Sequence, residues 1–278
     1  MNKKNRWLSL TGFLAVVALV LAACGSDDSA QEAGDEEIVW EEVNVATTGG
    51  GPPYSLIDDQ GEWSGTEADL WGSISERTGW ELNVQRVAGN AIFGQLDTGR
   101  SDVAANNYAL TEERAENYIH TIPLYADANT IATKDWNDEI QTLDDLAGKR
   151  VGVMAGQAAD IPLTALSEEL GFEVVYYEST GDVFQQLEID QIDAAAGPRS
   201  LLGEYIERRG VDFRLLDENL TATPIVYFFP DTPEHAQLRD ELDVVIEDML
   251  EDGTIAEITE NWLYTDMTQN LEDLELNE

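Results

Sequence analysis

The chain is poor in positive charge, in cysteine and in histidine. It has one cysteine and two histidines, and 15 lysines and arginines stand against 56 aspartates and glutamates. One cysteine excludes an intrachain disulfide. Two separated histidines, His120 and His235, offer no ligand cluster for a metal. With so few cations there is no basic patch to meet phosphates, so nucleic acid is excluded as a partner. Three of the 15 basic residues (Lys3, Lys4, Arg6) lie at the extreme N-terminus. Without them 12 face 56 acids, a net charge of −44, and Lys134 and Lys149 are the remaining lysines. Such a charge repels itself at low ionic strength. At molar salt the Debye length falls to about 3 Å and most of that repulsion is screened.

The early basic residues precede an apolar run, Trp7 to Val20, and then Leu21-Ala22-Ala23-Cys24. This is the pattern of a signal peptide over residues 1–23. Cys24 is placed as in the lipobox of bacterial lipoproteins, whose thiol is acylated. The lipid would tether the protein to the outer face of a membrane without a spanning helix, and it removes the thiol from any catalytic role. Residues 24–40 are small and acidic, without apolar periodicity, and read as a disordered tether. The acidic, lysine-poor composition resembles that of halophilic proteins and suits a salty exterior.

An internal repeat organises the rest. "IFGQLDTGRSDVAA" (Ile92 to Ala105) matches "VFQQLEIDQIDAAA" (Val183 to Ala196), and "SERTGWELNV" from Ser75 matches "SEELGFEVVY" from Ser167. In each copy a helix ends at a glycine (Gly79, Gly171), the natural left-handed cap. A short alternating strand follows, then a helix, then a small-residue strand opened by Asp102 or Asp193. Strands alternating with helices predict parallel βαβ units, hence an α/β fold of two Rossmann-like lobes. Lobe 1 is expected at 41–128 plus 225–270, lobe 2 at 129–224, with an acidic tail at 271–278. Chain crossings near Ala128–Thr133 and Thr221–Ile225 would join the lobes. A capping box is expected at Thr142–Asp145, and Thr180 is expected to cap the helix beginning near Gly181. Pro224 to Pro230 reads as a buried strand. Pro233 to Leu263 reads as two helices parted at Gly253.

In open α/β sheets, ligands lie beyond the carboxyl ends of the strands. The loops there are "TTGGGPPY" (Thr47 to Tyr54), "NNYALTEER" (Asn106 to Arg114), "AGQAAD" (Ala155 to Asp160) and "GPRS" (Gly197 to Ser200). The glycine loop lacks the lysine and Ser/Thr of a phosphate-binding loop and the GxGxxG spacing, so no nucleotide cofactor is expected. Arg114 follows Thr111, an expected N-cap, and so stands in a first helical turn, where a cation opposes the helix dipole. Either Glu112 and Glu113 neutralise it, or it grips a ligand carboxylate.

"PPYS…DDQGEWSGTEADLW", "LTEER", "DLAGKRVGV", "IDAAAG" and "GTIAEITENWL", in this order, resemble family 3 solute-binding proteins. These are the polar amino acid receptors of ABC importers, with the type II periplasmic-binding-protein fold. The resemblance implies a non-enzymatic receptor, expected to be a monomer, that delivers a carboxylate-bearing solute to a membrane permease by hinge closure. It implies that Arg114 binds the α-carboxylate and that the loop Gly156-Gln157-Ala158 offers backbone N–H groups from the second lobe. Thr48, Tyr54 and Ala109 fall among the ligand-lining positions. The sequence also departs from the pattern. A threonine hydroxyl is missing ahead of Arg114, where Asn107 substitutes; aromatic walls are replaced by Gly51 and Gly89; and the acid that meets the ligand ammonium is Pro198, followed by Arg199. These departures point to a solute with an altered or shielded amine, such as ectoine, or with a second acidic group meeting Arg199. A solvent-facing Arg199 at a helix start is the alternative. Rival functions are a dehydratase-like enzyme on the same fold, for which neither histidine has an obvious partner, and a sensor ectodomain. A sensor would continue into a spanning helix, whereas this chain stops at "NLEDLELNE".

Overall fold

The computed structural model describes residues 39–89 and 91–275. The expected leader, Cys24, nearly all of the tether and the last three residues of the acidic tail lie outside them. From the N-terminus, β1 (Glu42–Thr47) runs into three short strands, β2 (Gly50–Gly51), β3 (Ser55–Ile57) and β4 (Trp63–Ser64). Then come α1 (Thr66–Thr78), β5 (Glu81–Arg86), α2 (Ala91–Asp97), β6 (Val103–Ala104), α3 (Glu112–Ala115) and β7 (Ile119–His120). The long β8 (Tyr125–Lys134) leads to β9 (Arg150–Met154), α4 (Asp160–Leu170), β10 (Glu173–Tyr177), α5 (Thr180–Glu188), β11 (Ala194–Pro198) and α6 (Arg199–Arg209). Finally β12 (Phe213–Ile225) returns to β13 (Phe228–Phe229), α7 (Pro233–Glu251), α8 (Thr254–Leu263) and α9 (Glu272–Glu275).

Two five-stranded sheets result, ordered β5-β1-β6-β13-β7 and β10-β9-β11-β8-β12. In each, the first strand of the repeat is parallel to both neighbours, the inner of which is the middle strand of the sheet. Beyond it lies one antiparallel strand that arrives from the other half of the chain, β13 in the first sheet and β8 in the second. The sequence repeat is therefore a repeat of topology, and β8 and β12 are the two strands that cross between lobes.

Local details of the repeat have one physical cause each. Gly79 and Gly171 both sit at φ 79°, and their N–H groups close the preceding helices on Ser75 O and Ser167 O. Asp102 accepts from the Asn44 N–H at 2.8 Å, and Asp193 accepts from the Arg150 N–H at 2.7 Å. In each lobe the acid that opens the third strand thus pins the start of the central one. The Thr142–Asp145 capping box is present, on a 3-10 turn (Leu143–Leu146). One cap differs from expectation. Ser179, not Thr180, caps α5, its hydroxyl accepting from the Asp182 N–H at 3.1 Å, because Thr180 is already inside the first turn.

Both sheets are covered on both faces, as mostly parallel sheets require. On α7, Leu238, Leu242, Ile246 and Met249 form one buried stripe at helical spacing. They pack with Leu70, Trp71 and Ile74 of α1 and Ile255 of α8. The opposite face of the first sheet is closed by Ile92 and Leu96 of α2 against Ala46, Ala104 and Phe228. In the second lobe, Val151, Val153 and Leu163 lie on one side and Val183, Phe184 and Leu187 on the other. Val226 to Phe229 are buried, as the apolar run predicted, but the run is not one strand: β12 ends at Ile225 and β13 takes only Phe228 and Phe229.

Candidate functional site

In the first sheet β1 lies between β5 and β6, so the crossover from β1 runs to one side of it and the next, from β5, passes back to the other. The loops after β1 and β6 consequently meet at the switch point where α/β folds bind ligands. They are bonded there: the Thr48 hydroxyl donates to Asn106 Oδ1 at 2.8 Å, and the buried Thr47 hydroxyl reaches the same oxygen at 3.3 Å.

The glycine loop is held by the start of α1. A helix begins with four N–H groups that have no intrahelical acceptor. Gly65, at the cap position, has no side chain to supply one. The Thr66 N–H donates instead to Pro53 O and the Glu67 N–H to Tyr54 O, both at 2.9 Å. The loop's own carbonyls fill the place a phosphate would take. Gly65 is required for this approach: at φ 113° a Cβ there would stand 2.6 Å from Tyr54 O. Gly51 pairs with Ser55 across β2 and β3. At Gly51 and at Gly89 (φ 47°), which precedes α2, a Cβ would meet nothing within 4 Å, so the positions lacking an aromatic wall are open.

Thr111 caps α3 as its spacing predicted, accepting from the Arg114 N–H at 3.3 Å. The Arg114 guanidinium turns back to donate to Ala109 O at 2.7 Å. It lies over Phe93 and Tyr108, each 5.2 Å from the ring centre, and 5.9 Å from Phe228. Ala109 itself bridges to Ile225 at the interlobe crossing. Among the described residues Arg114 forms no ion pair, despite the acidity of the chain and the adjacent Glu112 and Glu113. Asn107 accepts from the Tyr125 hydroxyl at 3.0 Å.

From the second lobe, Gln157 donates through Nε2 to Thr180 Oγ1 at 3.3 Å, while its Oε1 is buried without a partner. The N–H groups of its loop are less available than expected. Gly156 N–H is bonded to Asp160 Oδ2 and Gln157 N–H to Met154 O; Ala158 follows, exposed. Pro198 ends β11 opposite Asn129 of β8.

Arg199 is not solvent-facing. It is 8 % exposed, and it donates to Leu216 O at 2.6 Å, to Asp217 O at 3.3 Å and to Asn219 Oδ1 at 3.0 Å. The β12 register shifts between Leu215 and Asn219. A bulge leaves carbonyls outside the ladder, and Arg199 takes them. His235 also corrects the sequence reading, since it has partners: Nε2 lies 3.3 Å from Asp102 Oδ1 and Nδ1 2.7 Å from the Thr232 hydroxyl. Although burial opposes it, hydrogen bonds from His235 and Asn44 hold the Asp102 carboxyl below its ordinary range. This cluster stands at the start of β6, at the opposite end of the strand from Asn106 and Asn107.

Three acidic or phenolic groups lie near the crossing: Tyr54, a ligand-lining position in the sequence reading, and Glu67 and Asp127, which the sequence did not single out. Glu67 is fully buried, and burial pushes its carboxyl up to about 8 even though Tyr227 donates to it. Burial, with Asp127 nearby, pushes the Tyr54 hydroxyl up to about 12, against a hydrogen bond with Ser200. Burial also raises Asp127, with the Ala128 N–H and the Asn107 side chain acting the other way. A helical or strand period registers none of these, because the polar partners come from distant segments.

Among the described residues no helix is long and apolar enough to cross a membrane, and no His, Cys, Asp and Glu group could hold a metal. Comparison with known proteins agrees with this architecture. The model of the bacterial extracellular solute-binding proteins, family 3, matches residues 43–265. The chain is 24 % identical to the probable amino-acid-binding protein YxeM of Bacillus subtilis, over 96 % of this chain and 98 % of that one. It is 27 % identical to the putative amino-acid ABC transporter-binding protein PatH of Vibrio harveyi, over 82 % and 91 %. The L-cystine solute receptor of Neisseria gonorrhoeae, in its unliganded open conformation, superposes with a TM-score of 0.69 at 16 % identity, covering 82 % of this chain and 94 % of that one. Two α/β lobes joined by two crossing strands, with the loops of the strand ends turned toward one another, are the type II periplasmic-binding-protein fold, and the chain belongs to the bacterial extracellular solute-binding proteins of family 3.

Proposed function

We propose that this protein is the extracytoplasmic receptor of an amino-acid ABC importer, held at the membrane by a lipid on Cys24. It takes a carboxylate-bearing amino acid or derivative, with ectoine among the candidates, and presents it to a membrane permease. The observation that carries the proposal is Arg114: a half-buried guanidinium without an ion pair among the described residues, beside the junction of the β1 and β6 loops. A carboxylate would add charge-assisted hydrogen bonds to those N–H groups. Lobe 2 would then close about the crossings of β8 and β12, bringing Gln157 onto the solute. The amino-acid-binding relatives YxeM and PatH support the solute class.

The test is a thermal-shift screen in molar salt over amino acids, ectoines, betaines, dicarboxylates and cystine. Arg114→Met keeps the aliphatic stem against Phe93 and Tyr108. It is expected to abolish solute-induced stabilisation and to leave the unliganded melt nearly unchanged. Undiminished stabilisation in that variant would remove Arg114 as the carboxylate anchor. For the lipid, Cys24→Ser should move the protein from the membrane fraction into the soluble one.

A further inference from the structure

Beyond α8 the chain turns at Tyr264, a non-glycine residue held at φ 63°, and its contacts then reach past lobe 1. The turn packs on α6 of lobe 2 at Gly203, where a Cβ would stand 3.0 Å from Tyr264 Cβ and 3.1 Å from Tyr264 O. Glycine permits that close approach of helix and turn, and the contact fixes how near α8 and α6 can come.

A 3-10 turn follows (Thr268–Leu271), and one buried side chain in it bonds to both strands that cross between the lobes. β11 pairs with β8 only over Asn129 to Thr133. Ala126 lies outside that pairing, and the C-terminal segment serves it instead. Its N–H donates to Met267 O at 3.4 Å, and its carbonyl accepts from Asn270 Nδ2 at 2.9 Å. Oδ1 of the same amide accepts from Asn219 Nδ2 of β12 at 3.0 Å. Asn219 sits where the β8–β12 register slips on either side, and its amide also donates to Asp273 Oδ2 at 2.6 Å. Asn270 is 2 % exposed. A buried amide costs free energy unless its donor and acceptor are both met, and here one partner comes from each crossing strand.

Ala126 lies on the lobe 1 side of the first crossing, and Asn219 on the lobe 2 side of the second. Rotating one lobe against the other changes the separation of these two points, and hydrogen bonds tolerate little stretching. The bonds recorded for the Gly156–Ala158 loop run within lobe 2, to Asp160, Met154 and Thr180. The clasp is therefore formed while that loop is not engaged by lobe 1. We infer that Asn270, with the Tyr264–Gly203 contact beside it, clasps the hinge and biases the lobes toward this resting angle, so that closure on a solute works against it. The solute side of this inference rests on the receptor reading above. Such a bias weakens affinity through the fraction of molecules able to close, without a contact to the solute.

The test places spin labels at Asp59→Cys, in the hairpin after the glycine loop, and at Ile161→Cys, beside the Gly156–Ala158 loop. Both positions are exposed, and closure should bring them together. A Cys24→Ser background leaves no other thiol to label. Distances are measured without solute by pulsed electron paramagnetic resonance in wild type, Asn270→Ala and Gly203→Ala. Affinities for L-arginine, L-glutamine, L-cystine and ectoine are measured by calorimetry in 1 M KCl. Asn270→Ala should shift the unliganded distribution to shorter distances and lower its unliganded melting temperature. It should nonetheless bind each compound that the wild type binds about two- to tenfold more tightly, the range of one net hydrogen bond. Tighter binding by a less stable protein is what a merely structural role would not give. Gly203→Ala keeps α6 helical and should displace the mean distance through Tyr264; it decides the matter if Asn270→Ala fails to fold. Wild-type distances in both variants, a shift without a change of affinity, or weaker binding by Asn270→Ala overturns the inference. If none of the four compounds binds the wild type, the receptor reading falls, and the unliganded distances alone decide the clasp.

Discussion

The Tyr227 hydroxyl donates to Oε2 of Glu67 at 2.9 Å, and both side chains are sealed from solvent. The other carboxyl oxygen of Glu67 has no partner. Glu67 is the second residue of α1, whose N–H groups hold the Pro53–Tyr54 turn, so its protonation state bears directly on the wall of the cleft. Its neighbours Tyr54, Tyr125 and Tyr227 are all raised, each chiefly by burial, with Glu67 contributing.

Glu67 makes stability fall with rising pH. Its carboxyl titrates near 8 in the fold against 4.5 for the free group, so folding takes up a proton between those values. The favourable contribution is complete below about pH 4.5 and is lost as pH rises through 8, at a slope of up to about 1.4 kcal/mol per pH unit. Glu67→Gln, neutral and of the same shape, should lack this slope and exceed the wild type in stability above pH 8. Urea melts of both proteins from pH 5 to 9 give the difference; parallel curves would show that Glu67 is ionised throughout.

Gly65→Ala should destabilise the protein by about 2–3 kcal/mol, since it combines an unfavourable positive φ with contact against two carbonyls. Gly72→Ala, exposed in the middle of the same helix with open space at its Cβ, should stabilise by about 0.5–1 kcal/mol. Opposite signs in chemical denaturation identify the Tyr54 turn, rather than helix propensity, as the reason for the first glycine.

Arg199→Met should cost about 1–3 kcal/mol, the usual loss when buried acceptors are left without their donor, while solute affinity stays unchanged. It strips donors from Leu216 O, Asp217 O and Asn219 Oδ1. A loss of affinity at constant stability would instead return Arg199 to the ligand.

Added salt should raise the melting temperature. The formal charge is −41 at pH 7, and the recorded ion pairs, such as Arg77–Asp252 and Lys149–Glu139, engage only a small part of the acids. Most of the gain should arrive by about 1 M KCl, where screening is nearly complete. Scanning calorimetry between 0.1 and 2 M KCl measures it; a flat or falling curve would contradict self-repulsion as the limiting term.

The sequence by itself determined what depends on neighbours along the chain. The duplicated Ser-to-Gly helix ends, the Asp-opened small strands, the Thr111 cap and the parting of α7 and α8 at Gly253 are local events, each encoded within a few residues. The repeat then carried the two-lobe plan, because equal segments bury equal faces. Tertiary structure alone decided which polar groups face one another. Arg199 meets a bulge about twenty residues away, His235 meets Asp102, Glu67 meets Tyr227, and Asn270 meets both crossing strands. These outcomes depend on which distant segments the crossing strands bring into contact, and hydrophobic periodicity carries no record of a polar side chain's partner. The loop "TTGGGPPY" shows both halves of the lesson. Its composition excluded a phosphate site, but only the fold revealed that its own carbonyls occupy the N-terminus of α1.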